Sequence, residues 1–84
     1  MKHAGPTALA RLTGLLAVLR TMGGLNEKKP GIFYRKSRAF LHFHEDPIGL
    51  FADVRDQSGL DFDRFDVTDP TNWPALLETV RKRL

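Results

Sequence analysis

The sequence predicts an α+β fold, a two-layer sandwich in which two helices cover one face of an antiparallel meander of three to four strands. Three observations point there. Residues 8–22 carry apolar side chains at helical spacing, the period changes to two from Ile32, and the last dozen residues return to the helical period. The chain has 84 residues and no cysteine. It is therefore read as a single domain, 1–84, whose core is worth only about 3–5 kcal/mol and has no disulfide or thiolate metal site to add to it.

Residues 1–5 carry no pattern and are expected to be disordered. A helix is predicted over 6–22. Ala8, Leu9, Leu12, Leu15, Leu16, Leu19 and Met22 share one face, Pro6 fits a first turn, and Gly23-Gly24 supplies the left-handed residue that stops helices. Ala10, Ala17 and Val18 widen the apolar surface, which suits a core helix or one that meets a second copy of itself. Residues 25–31 form a polar loop ending in Pro30-Gly31.

The antiparallel sheet is predicted over 31–67. With Ser37-Arg38 as a two-residue turn, Tyr34 faces Leu41 and Ile32 faces Phe43 toward the helices. Phe33 then lies beside His42, and Arg35 beside Phe40, on the other face. Glu45-Asp46-Pro47 breaks the second strand. Pairing Phe43 with Ile48 across a four-residue loop sets Leu41 against Leu50 and Ala39 against Ala52, and it brings Phe40 beside Phe51 and Arg38 opposite Asp53. Asp56-Gln57-Ser58-Gly59 is a turn, and Leu60 to Val67 gives a short acidic edge strand. The second helix is predicted over 72–84, with Asn72 as its cap and Pro74 in the first turn. Trp73, Leu76, Leu77, Val80 and Leu84 form its apolar stripe. Arg81, Lys82 and Arg83 suit the negative end of its dipole.

Net charge is +3, but the charges are segregated. Residues 1–44 hold eight Lys/Arg against Glu27 alone, and residues 45–69 hold eight acids against Arg55 and Arg64. Such a layout serves either a nucleic-acid surface or two halves of one fold that neutralise each other. Met1-Lys2-His3 before an apolar stretch resembles the start of a secretory signal, but Arg11 interrupts that stretch and Arg20 closes it. No run reaches the roughly 18–20 apolar residues that span a bilayer. A cytoplasmic location away from membranes is the expectation.

The predicted open face of the sheet carries Arg35, Phe40, His42, His44, Phe51 and Asp53. Three chemistries compete for it. His42-Phe43-His44 on a strand places two imidazoles about 7 Å apart on one side, the spacing of a shared metal ion, with Asp53, Glu45 or Asp46 as oxygen donors. The plain alternative makes the histidines cross-strand partners of Phe33 and of the Glu45-Asp46 turn. Catalysis would need His42 as a base oriented by Asp53, but the chain has no nucleophile elbow and no phosphate-cradling glycine loop. Macromolecule recognition is the third chemistry. Lys28, Lys29, Lys36 and Arg38 crowd one hairpin with Phe33 and Tyr34, a composition that suits single-stranded nucleic acid.

The run Ser37 to Asp46, followed by Leu50-Phe51-Ala52-Asp53-Val54-Arg55, resembles small uncharacterised bacterial α+β domains, and among named groups the MmcQ/YjbR-like domains, over residues 31–84. The resemblance implies a two-layer α+β fold and a suspected role in DNA binding, and it carries no site residues across. The reading from sequence is a non-enzymatic module of bacterial type without cofactor, interacting with a protein partner or a second copy of itself through the open sheet face. Nucleic-acid binding through Lys28, Lys29, Lys36 and Arg38, and metal binding through His42 and His44, stand as the alternatives.

Overall fold

The computed structural model describes all 84 residues, Met1–Leu84. The elements run β1 (Lys2–His3), α1 (Pro6–Ala10), α2 (Thr13–Arg20), β2 (Asn26–Lys29), β3 (Ile32–Arg35), β4 (Arg38–Asp46), β5 (Gly49–Arg55), β6 (Phe62–Asp66), a 3-10 turn (Pro70–Asn72) and α3 (Trp73–Arg83). The fold is α+β with an antiparallel sheet, ordered β2-β3-β4-β5-β6, and β1 also pairs with β4. The sheet thus has six strands rather than three to four. It gains β2, which lies within the predicted polar loop, and β1, which falls in the segment expected to be disordered.

The first helix is two helices. Thr13 Oγ1 donates to Ala10 O at 2.7 Å, and Leu12 leaves helical geometry with φ −106° and ψ 15°. The apolar spacing crosses this break undisturbed, since Ala8, Leu12, Leu15, Leu16 and Leu19 are all buried. At the C-terminal end, Asn72 occupies the cap position of α3, but the side-chain cap is made by Asp69 on the 3-10 turn that precedes it. Asp69 Oδ1 accepts from Thr71 N at 2.9 Å, whereas Asn72 makes no side-chain capping bond. Trp73 Nε1 donates to Val67 O at 2.9 Å and ties the start of α3 to the chain leaving β6.

The core is one cluster of fifteen buried apolar residues. It joins the α2 leucines and Leu76 and Val80 of α3 to Phe33, Phe40, Leu41, Phe43, Leu50, Ala52 and Val54 of the sheet. Gly31, at φ +76°, makes the tight turn from β2 to β3, and a Cβ there would stand 2.8 Å from Leu9 Cδ2.

Two registers differ from the predicted ones. The β3–β4 turn is Lys36-Ser37, with Arg35 opposite Arg38 and Lys36 at φ 58°. A bulge then leaves Phe40 without a partner between Tyr34↔Ala39 and Phe33↔Leu41. An extra residue breaks the period of two, so successive residues turn to one side. Phe40 and Leu41 are accordingly both buried, at 4% and 0% exposure. This slip exchanges the faces of β3: Phe33 enters the core and Tyr34 is half exposed. In the next hairpin, Asp46 pairs with Gly49 across a two-residue Pro47-Ile48 turn, so Phe43 faces Ala52 instead of Ile48. Four residues of shift preserve parity. Leu50, Ala52 and Val54 therefore stay inward while Ile48 is left 81% exposed.

Candidate metal centre

The shifted β4–β5 register decides what meets on the open face. Asp53 lies opposite His42 rather than Arg38, and His44 lies opposite Phe51. On the other flank of β4, β3 ends opposite His42 with Ile32, and β1 continues the edge by placing His3 opposite His44. Ala4 N donates to Phe43 O at 2.9 Å, and Gly5 N donates to Glu45 Oε2 at 2.6 Å, which together dock this leading segment.

Three imidazoles result, and their ligand atoms all lie within 4.8 Å of one another. His42 Nδ1 is 2.7 Å from His44 Nε2. The ring centroids are 4.7 Å apart for His3 and His44, 4.8 Å for His42 and His44, and 5.6 Å for His3 and His42. Two nitrogens on one tetrahedral zinc stand about 3.3 Å apart, so small imidazole rotations would bring all three donors to one ion. Phe62 of β6 stacks at a tilt against His42, centroid to centroid 4.8 Å, and closes one side.

The electrostatics keep the rings available as donors. Burial pushes the His42 imidazolium down from its ordinary range, and the neighbouring His44 adds to this. Burial likewise lowers His44, partly opposed by the Asp53 carboxylate. Both rings therefore favour the neutral form that coordinates metals. His44 Nδ1 is a buried nitrogen with no hydrogen-bond partner.

Asp53 is the buried charge beside them, at 7% exposure. Arg64 of β6 holds it from Nε and Nη2, each at 2.8 Å, and this bidentate pairing lowers its pKa, chiefly through the hydrogen bonds. Its Oδ2 lies 3.4 Å from His44 Nε2. With both oxygens engaged by Arg64, the carboxylate supplies negative charge beside His44 Nε2 rather than a free ligand oxygen.

The remaining sequence candidates add no free donor to the three imidazoles. Phe40 is a core residue and belongs to no exposed surface; the bulge put it there. Phe51 sits half buried opposite His44. Arg35 is exposed and lies with Arg38 at the other end of the strand pair. Glu45 is occupied by Gly5 N and by Lys2, 3.7 Å away, and Asp46 Oδ1 accepts from Ile48 N at 3.2 Å within its turn. Lys28 and Lys29 border the depression that holds His3 and His42, whereas Arg38 borders a separate one.

Sequence reasoning missed His3 and Arg64. No spacing rule connects His3 to residues forty positions away, while Arg64 was visible as a cation on an acidic edge strand. No helix is long and apolar enough to cross a membrane. No known family, no curated protein and no solved structure matches this chain.

Proposed function

We propose that this chain is a metal-binding protein in which His3, His42 and His44 hold a borderline divalent cation, zinc before others. The observation that carries the reading is the convergence of three imidazole donors from β1 and β4 within 4.8 Å. Nitrogen donors favour zinc, nickel and copper over magnesium and calcium. The orphaned His44 Nδ1 and the Asp53–Arg64 pair beside the ring support it further. Three protein donors leave a fourth position for water or another ligand.

The test is a thermal melt of untagged protein with EDTA or with zinc. At free zinc about a hundredfold above Kd, binding adds about 2.7 kcal/mol, equivalent to a rise of about 10–20 °C in a domain this small. The His42→Ala/His44→Ala double variant should show no rise and His3→Ala a smaller one. Identical wild-type curves with and without zinc sink the proposal.

A protein-interaction role is supported by one feature of the same site. The fourth position would accept a side chain from a partner or a second copy. Sedimentation with and without zinc tests this: a zinc-dependent dimer supports a bridging role, and a monomer under both conditions removes self-association from consideration.

A further inference from the structure

A second grouping of charge lies beyond the end of the strand pair that bears the histidines. Where the β3–β4 and β5–β6 connections meet the last turn of α3, a cavity of about 300 Å3 is lined by Arg35, Arg38, Arg55, Lys82 and Arg83. Asp56 is the one carboxylate on its wall. That carboxylate is already turned to its own loop, accepting from Ser58 Oγ at 2.6 Å and Gly59 N at 3.0 Å. Two of the five cations have acidic neighbours: Arg83 lies 2.9 Å from Asp63 and Lys82 3.9 Å from Glu78. Arg35, Arg38 and Arg55 have no carboxylate within 4.0 Å.

The arginines are positioned without being neutralised. Arg38 Nη2 and Arg55 Nη1 both donate to Gly59 O, at 2.7 and 2.9 Å, and Arg55 Nε donates to Ala39 O at 2.7 Å. Two guanidiniums on one carbonyl repel each other, yet they use only a minority of their five N–H donors each. Gly59 itself has φ +76°, and a Cβ there would come 3.4 Å from Arg38 Nη1. The loop thus turns its carbonyl to the arginines at a position that suits glycine.

We propose that this cavity binds a small phosphate-bearing ligand, a phosphomonoester or a diphosphate, through Arg38 and Arg55, with Arg35 and Lys82 adding positive potential. Guanidinium forks match phosphate oxygens in bidentate fashion, and a multiply charged anion relieves the repulsion between the two arginines. The volume sits at the lower end of the range for small-molecule sites. The cations converge on one recess instead of tracking a backbone, which favours a compact anion over a polynucleotide.

The test titrates inorganic pyrophosphate into metal-free protein at about 0.15 M salt, followed by calorimetry and by NMR of the Gly59 amide and the arginine Nε–H groups. Saturable binding is expected, with shifts centred on Gly59, Arg38 and Arg55. Arg38→Gln, which removes an exposed side chain making one backbone bond, should weaken binding about tenfold while leaving the melting temperature near wild type. Arg35→Gln, whose side chain makes no hydrogen bond, is the second variant and should weaken it less. Lys28→Gln/Lys29→Gln should bind as wild type. So should His42→Ala/His44→Ala, which keeps this result separate from the zinc reading. Absence of saturation at millimolar pyrophosphate overturns the proposal, as does an equal loss in the Arg38 and Lys28/Lys29 variants. Tighter binding of a single-stranded oligonucleotide than of pyrophosphate overturns it in favour of a polynucleotide surface.

Discussion

Replacing Asp53 with Asn tests the electrostatic arrangement beneath the histidines. The carboxylate is nearly buried and accepts two 2.8 Å hydrogen bonds from Arg64. Asparagine keeps the shape but has one accepting oxygen, and its amide would point N–H groups at a guanidinium. Severing a fully buried ion pair costs about 3–5 kcal/mol. Here the Arg64 side chain is half exposed and recovers solvation, so a loss of about 1.5–3 kcal/mol is the estimate for Asp53. In a domain of this size that corresponds to a fall in Tm of about 6–24 °C.

The assay is urea or thermal unfolding of both proteins in EDTA across a pH series. Arg64 holds the Asp53 pKa below its ordinary value. Its contribution is therefore complete above the unfolded carboxylate range, near pH 4, and is lost only as pH falls through the still lower folded value. The stability gap between the two proteins should persist from about pH 7 to pH 5, widening as the histidines protonate because Asp53 favours their charged forms, and close below about pH 4. Equal stability at pH 7, or a gap already closed at pH 5, refutes the reasoning.

Two further outcomes follow from the strand register and from the burial of the histidines. Because β3 turns Phe33 inward at 1% exposure and leaves Tyr34 half exposed, Phe33→Ala should cost about 3–5 kcal/mol and Tyr34→Ala about 1 kcal/mol or less; denaturant titration yielding the reverse order would restore the unbulged register. Folding depresses both His42 and His44, so metal-free protein should lose stability as pH falls through the ordinary imidazole range near 6.5. His42→Gln/His44→Gln should flatten that slope, and an unchanged slope would show that the burial of these rings is not its source.

The legible part of the fold was its periodicity. Alternation along β4 and β5 placed Leu41, Phe43, Leu50, Ala52 and Val54 inward, and the two-residue spacing of His42 and His44 placed both imidazoles on one side. Alternation is indifferent to shifts by an even number, however. The apolar Ile48 read as the first residue of a strand, but it occupies the tip of a turn, and that difference carried Asp53 from Arg38 to the histidines. The bulge at Phe40 breaks the assumption of alternation itself, and no glycine or proline in the sequence marks it. The break after Ala10 was hidden for a related reason: an apolar stripe that continues across a kink looks like one cylinder. His3 was invisible because a two-residue strand has no period at all. Its position depends on the vacant length of β4 that β3 fails to reach.

That short strand has a consequence for how such a site would behave. One of the three nitrogen donors rides on a segment held by only a few backbone bonds, and segments of that kind detach from their sheets far more readily than central strands do. The apparent affinity for an ion would then be the intrinsic affinity scaled by the fraction of molecules with the leader seated. A bound ion would act as a clasp. Conversely, anything that captured the loose leader would lower occupancy from a distance, without touching His42 or His44.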